Sequence, residues 1–435
     1  MELDTGLTAW MLVSASLVLL MTPGLALFYG GMVRAKSVLN MMMMSFGALG
    51  VIGVVYVLWG WSMSYSADSV GGLFGNPFDQ FGLQGAIYDE AGEFVLSDGL
   101  PVIVDVGFQA TFAIITVALI SGAIADRVKF GSWIVFTPIW ATLAFFPLAH
   151  MVWGGGLLSD EGPFASIASP IDFAGGTVVH INAGTAALVL ALVVGKRRGF
   201  GAEAFKPHNL PLVMLGAGLL WFGWFGFNAG SAYGADGLAG LAWVNTATAT
   251  SAAILGWLLV ERVRDGHATS LGAASGVVAG LVAITPAAGA LSPVGSIALG
   301  AIAGALCAYA VGLKYRFGYD DSLDVVGVHL VAGLWGTIGI GFLATETGLL
   351  YGGGASQLAV QTIIALVAVA FSGVVTLVIA LALKYTLGWR VDDEDEVTGI
   401  DQVVHAETGY DFVSLGGGGG HQPSLAATRA AEVSA

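Results

Sequence analysis

The chain has 435 residues, of which 56% are hydrophobic and 10% charged, with 30 acidic against 15 basic side chains and a net charge of −15. A water-soluble domain carries roughly 25% charged residues, so a mean hydropathy of +0.82 excludes a chain that covers itself with a polar surface. The composition predicts an all-α integral membrane protein, and no nucleic-acid partner, cofactor or enzymatic activity is expected of it.

In chain order, apolar stretches predict spans near 8–33, 38–62, 104–125, 130–152, 171–195, 209–230, 238–260, 268–284, 293–312, 323–343 and 357–383. The first stretch, Thr8 to Met32, is uncharged and long enough to cross about 30 Å of hydrocarbon. The 65 glycines suit close approach of helices in lipid. Met1-Glu2-Leu3-Asp4 is acidic, unlike the basic start of a cleavable signal. The single cysteine, Cys307, excludes an intramolecular disulfide and lies in an apolar run as a packing residue.

Basic residues sort onto one side. Arg34 and Lys36 follow the first span, Arg127 and Lys129 the third, and Lys196, Arg197, Arg198 and Lys206 the fifth. Arg262 and Arg264 follow the seventh, Lys314 and Arg316 the ninth, and Lys384, Arg390 and Arg429 the last. The alternate loops, including the long 63–103, contain none. The positive-inside rule then puts the N-terminus outside and the C-terminus inside, which requires an odd number of spans; eleven fits. Residues 1–385 form the membrane domain and 386–413 a cytoplasmic tail. The Gly416–Gly420 run places a disordered end over 414–435. The acids of the outer loops (Asp68, Asp79, Asp89, Glu90, Glu93, Asp98, Asp160, Glu161) and of Asp392–Glu396 have two readings. One is a funnel for cations; the other, favoured, is a solvated surface of a halophilic archaeon, where salt screens steering.

The chain repeats itself. Asp172 is followed after seven residues by His180, then two residues and Ala-Gly184; Asp321, His329 and Gly333 follow the same spacing. The fifth and tenth spans run in opposite directions, so the match predicts an inverted 5+5 repeat, with halves of about 8–195 and 209–343, plus an additional helix at about 357–384. Such repeats hold their functional site between the halves. Either histidine alone is as readily a neutral core group bonded to a backbone carbonyl. Their equivalent placement favours a facing pair that shares a proton, each imidazole being donor and acceptor. A metal site would need further ligands, and no Cys or Glu lies near.

Aromatic residues accompany the histidines. Phe108 and Phe112 share a helix face. The sixth span contains Trp221, Trp224, Phe225, Phe227 and then Ser231, and the fourth ends His150-Met-Val-Trp153-Gly-Gly-Gly156. Separately these are interface or packing residues. Trp153 and Ser231, however, both fall at the outer ends of their spans, where an indole face and a hydroxyl can hold a small cation.

The segments Phe108-Gln-Ala-Thr-Phe112, His150 to Gly156, Asp172 to His180, Trp224-Phe-Gly-Phe-Asn-Ala-Gly-Ser231 and Asp320 to His329 together resemble the Amt family of ammonium transporters, over roughly residues 5–413. Within the wider family that includes Rh proteins, Trp153 and Ser231 favour the Amt branch. The resemblance implies a plasma-membrane homotrimer with one pore per subunit. It implies that Trp153, Ser231 and Phe112 recruit ammonium, with Asp172 shaping that site. Phe112 and Phe227, with Phe108 beside them, form the gate; His180, His329 and Trp224 line the pore. In the tail, Arg390, Asp401, His405, Glu407 and Tyr410 match a regulatory region that helps dock a PII-type nitrogen-regulatory protein. Ala406 stands where the family has glycine. Alternatives are an ammonium sensor with little flux, a gas channel of the Rh type and a membrane-embedded metalloenzyme.

Overall fold

A computed structural model describes residues 2–410, so the expected disordered end at 414–435 and the last tail residues lie outside the described residues. Eleven helical spans are long and apolar enough to cross a membrane: Thr5–Met32, Ala35–Tyr65, Val102–Ile124, Phe130–Trp153, Gly176–Val194, Leu210–Gly230, Gly237–Asp265, Ser270–Ala287, Pro293–Phe317, Val326–Leu343 and Ser356–Thr386. Side-chain oxygens mark where several begin. Asp4 accepts from Leu7 N (2.9 Å), Asn209 from Leu212 N (3.0 Å) and Ser292 from Gly295 N (3.1 Å), each satisfying an orphan donor of the first turn. Loop 66–101 departs from pure helix, containing two short hairpins, Ser69–Val70 with Phe74–Gly75 and Leu96–Ser97 with Leu100–Pro101.

The first and last described residues lie on opposite faces. Asp4 N donates to Gly99 O of loop 66–101 (2.9 Å), which defines the N-face. The tail is bound to the loops after the first, third and fifth spans, which define the tail face. Every basic residue between 34 and 390 lies in the closing turns of an odd-numbered span, in the loop after one or, as Lys36, at the head of the next, and so belongs to the tail face.

Small residues bring the helices together. A Cβ at Gly300 would stand 2.1 Å from Ala249 O and one at Gly304 2.0 Å from Ala253 O, so the seventh and ninth spans meet backbone to backbone. The fifth and tenth spans cross in a reciprocal way. A Cβ at Gly184 would meet Leu330 N at 2.5 Å, and one at Gly333 would meet Ile181 N at 3.2 Å. Each glycine, four residues after its histidine, thus packs on the residue that follows the other histidine. Both spans also begin with a π-helical turn, Gly176–Ile181 and Val326–Leu330, before 13 residues of α-helix. The inverted repeat is therefore a matched pair of local conformations.

The matched start corrects two boundaries. The fifth and tenth spans were expected from 171 and 323 but begin at Gly176 and Val326. Residues just before them turn through left-handed backbone, Gly175 at φ +114° and Asp324 at φ +64°, which a helix cannot contain.

Candidate functional site

The site is a line of cavities between the two halves. At the N-face a vestibule of about 450 Å³ is lined by Phe112, Trp153, Ser231, Asp105, Tyr65 and Tyr233 among others. Trp153 is fixed by its indole N–H, which donates to Asp172 O (3.0 Å). Ser231 Oγ donates to Phe227 O (2.8 Å), so its own lone pairs remain for a donor in the vestibule. Asp172 does not reach in. Its carboxylate accepts from Gly175 N (2.8 Å), Gly176 N (2.6 Å), Thr177 N (2.8 Å) and the Thr177 hydroxyl, capping the fifth span while its carbonyl holds Trp153.

Below the vestibule the Phe112 and Phe227 rings stack at 4.1 Å between centroids and 28° between planes. Phe112 also meets Trp153 edge-on (6.0 Å). Phe108 backs this stack: its ring touches Phe112 edge-on at 4.9 Å and Tyr233 at 5.8 Å, and it borders neither the vestibule nor the space beneath.

Past the rings lies a void of about 10 Å³ bordered by Met21, Leu25, Ile115, Trp224, His180 and His329, room for about one small molecule. His180 Nδ1 and His329 Nδ1 are 3.3 Å apart with rings nearly parallel at 23°. One Nδ1 must therefore carry the hydrogen and the other accept it, so one Nε2 faces the void bare and the other protonated. His180 Nε2 is buried and bonded to no protein group. Trp224 stacks on His180 at 5.4 Å and its indole donates to Thr285 Oγ1 (2.8 Å). A second void, again about 10 Å³, continues past His329 to Tyr29, Ser275 and Asp324. Among the described residues no group of three His, Cys, Asp or Glu side chains clusters to hold a metal.

The tail face is a clamp of buried charge. Asp321 caps the tenth span, accepting from Val325 N (3.0 Å) and Val326 N (2.7 Å). Asp324 pairs with Lys314 Nζ (2.7 Å). Arg197 binds both carboxylate oxygens of Asp320 (2.9 and 2.8 Å). Burial alone would raise the Asp320 carboxyl, but Arg197 and Arg127 hold it below the usual range. Arg127, with no exposed surface, donates to Gly195 O (2.9 Å), Ala125 O (3.0 Å), Ser322 Oγ (2.6 Å), Ala123 O (3.1 Å) and Asp320 O (2.7 Å). It thereby satisfies carbonyls at the C-terminal ends of the third and fifth spans. Burial pushes its pKa down to about 10.

The tail residues close this face. Arg390 donates to Lys196 O (2.5 Å) and pairs with Glu396. Asp401 accepts from Leu39 N (2.9 Å) and Asn40 N (2.7 Å), at the head of the second span. Burial raises the Asp401 carboxyl, with those two N–H groups opposing. His405 Nε2 is 3.0 Å from Asn40 Oδ1, and Tyr410 OH is 2.7 Å from His208 Nε2. Glu407 is exposed. Ala406 takes left-handed backbone, φ +55°, which accounts for the glycine expected there.

The structure thus brings the three residues expected at the recruitment site into one vestibule, the two rings expected to form the gate into a stack and the two histidines into contact. Sequence reasoning missed Asp105, Gln109, Tyr233, Thr285 and Arg127. Asp105 stands three and seven residues before Phe108 and Phe112, so helical spacing could have found it; the carbonyl partners of Arg127 leave no trace in a sequence.

The geometry has counterparts. A family model described as Ammonium Transporter Family matches residues 9–410. A curated protein of Mycobacterium tuberculosis named Ammonium transporter is 56% identical, the alignment covering 95% of this chain and 92% of that protein. Among solved structures, one titled Sensor Amt Protein superposes with a TM-score of 0.83 at 28% identity, covering 92% of this chain and 98% of that one. Saccharomyces cerevisiae Mep2 superposes with a TM-score of 0.79 at 31% identity, covering 90% and 91%.

Proposed function

The chain belongs to the ammonium transporter family and is a multi-pass plasma-membrane ammonium transporter, and we propose that it recruits ammonium in the vestibule, strips one proton and conducts ammonia past the histidine pair. The observation that carries this reading is the alignment of vestibule, stacked rings and facing histidines in one line. The N-face is outside and the tail face inside, because the basic residues gather with the tail.

An ammonium ion entering the vestibule loses water, and the Trp153 and Phe112 rings replace part of that hydration through cation–π attraction. Ser231 adds a directional acceptor. Potassium has no N–H to give it, so hydrogen bonding discriminates where size does not. Beneath the rings the lining is apolar, and an intact ion would be costly there. The N–H bond breaks with its electron pair left on nitrogen, and ammonia enters the void. The proton goes to the bare Nε2 of His180; the shared Nδ1 hydrogen passes to His329, whose Nε2 releases its own proton inward. The pair ends in the opposite tautomer and is reset before the next ion.

The test is current on a solid-supported membrane carrying reconstituted protein, after ammonium jumps with potassium and methylammonium controls. A selective ammonium current is expected, lost when both His180 and His329 are made apolar. Undiminished selective current in that double variant counts against the relay. The likeness to a protein titled Sensor Amt Protein makes flux itself the discriminating readout: a silent wild type, with no pH shift in the same vesicles, would favour a sensor.

The same reading includes a homotrimer and a PII-type protein docking on the tail face. Both rest on the family resemblance and on a tail held against three loops; the particle mass in detergent and pull-down with such a regulator test them. The acid excess reads as salt adaptation of the water-facing loops but identifies no source organism, and the 56% identical relative is bacterial.

A further inference from the structure

The vestibule contains a carboxylate that the reading above does not use. Asp105 lies in the third span, on the helix face that carries Phe108 and Phe112, and borders the same cavity as Trp153 and Ser231. Seven residues separate it from Phe112, which places it about 10 Å further out along the helix. It forms none of the ion pairs found among the described residues. Nor can a loop supply a cation, since the outer loops 66–101, 154–175, 231–236, 288–292 and 344–355 contain no Lys or Arg.

Its neighbours orient it without neutralising it. Gln109 Nε2 donates to the Tyr233 hydroxyl (2.6 Å), which donates in turn to Asp105 Oδ1 (2.6 Å). That chain runs one way and ends on the carboxylate, and among the described residues no hydrogen bond to Oδ2 is formed. Tyr65 borders the same cavity, and its hydroxyl is buried with no hydrogen-bond partner among the described residues. Tyr233 holds this place through left-handed backbone at φ +50°, a conformation costly for a bulky residue that brings its ring against Phe108. An ionisable group within a span and without a basic partner marks a cation's path, and the cation that reaches this face comes from solution.

We propose that Asp105 is a charged acceptor for ammonium at the outer lip of the vestibule, binding the ion through Oδ2 with the Tyr65 hydroxyl beside it before the ion descends to Trp153 and Ser231. The inference rests on the transport reading and adds a first binding step to it. The group taken is a small monovalent cation with N–H donors, ammonium or methylammonium.

The experiment compares currents in reconstituted vesicles for wild type, Asp105→Asn, Asp105→Glu and Tyr233→Phe. Asparagine keeps an acceptor for Tyr233 but removes the charge. A hydrogen bond to a charged group is worth roughly 1.5–3 kcal/mol, so the half-saturating ammonium concentration should rise about tenfold or more while the maximal current holds within about twofold. Asp105→Glu restores much of the affinity, and Tyr233→Phe, which frees Oδ1, keeps it at the wild-type value or tighter. Should the asparagine variant fail to fold, the glutamate and phenylalanine variants carry the test, since both retain the charge. An unshifted Asp105→Asn, or a Tyr233→Phe shifted as far as Asp105→Asn, overturns the proposal by making the carboxylate a prop for Tyr233. A silent wild type overturns the transport reading and this step together, whereas a conducting wild type with an unshifted asparagine variant overturns this step alone.

Discussion

At the N-face entrance Asp172 receives three backbone N–H groups and a hydroxyl; at the tail-face entrance its repeat counterpart Asp321 receives the N–H groups of Val325 and Val326. The two caps start matching π turns that carry His180 and His329. Their surroundings differ in kind. Around Asp172 stand Trp153, Phe112 and Ser231, with no basic residue in any outer loop. Around Asp321 stand Lys314, Asp324, Arg127, Asp320 and Arg197, almost all paired. The repeat therefore fixes how the backbone crosses at the pore, while the residues outside it decide what each mouth does. One mouth leaves a binding surface open to a cation; the other closes its charges on one another.

The largest effect expected is at the inner clamp. Arg197→Leu would strand Asp320 in a buried site and leave Asp126 with Arg34 alone, a loss of about 3–5 kcal/mol. It should appear as a much lower unfolding temperature in detergent, while no single outer-vestibule substitution should match it. The caps sharpen the comparison. Asp172→Ala and Asp321→Ala should each cost about 1–2 kcal/mol for a lost helix cap, but only Asp172→Ala, by loosening Trp153, should raise the half-saturating ammonium concentration. Equal shifts from both would break the distinction between the mouths.

A pH titration isolates the inner cap. Burial holds the Asp321 carboxyl up at about 6, against roughly 3.9 in an unfolded chain. Between these values the folded protein keeps a proton that the unfolded chain has released. The stabilisation is thus complete below about pH 4 and lost as pH rises through about 6. Unfolding temperatures across that window should fall with rising pH, and Asp321→Asn should flatten the slope. The smallest effect is at the tail, where Ala406→Gly relieves left-handed backbone and should stabilise the tail by about 1 kcal/mol, read as slower proteolysis of the tail.

The spans, the facing histidines and the residues that line the vestibule, Trp153, Ser231 and Phe112, were legible because long apolar runs, a repeated Asp-to-His spacing and span-end aromatics are local signals. What was not legible is equally physical. The starts of the fifth and tenth spans depend on the Asp172 and Asp321 caps, and the residues up to 175 and from 323 to 325 that those caps turn read in sequence as helix. Phe108, three residues from Asp105 and four from Phe112, shares a face with both, yet only packing against Tyr233 sets it behind the gate. Arg127 looked like a topogenic charge, and its role as a tie between two helix ends rests on backbone oxygens that sequence does not display.

The reciprocal seating of Gly184 on Leu330 and Gly333 on Ile181 also bears on speed. With backbones in contact at both points, the two halves cannot rock or slide past one another at the pore without collision, and the slow domain movements of alternating access, on the microsecond-to-millisecond scale, have no room here. In the proposed mechanism what moves is a pair of phenylalanine rings, an ammonia and a proton. Turnover should then rise with temperature as gently as ring rotation and proton loss allow, without the steep barrier of a molecule that changes shape at every cycle.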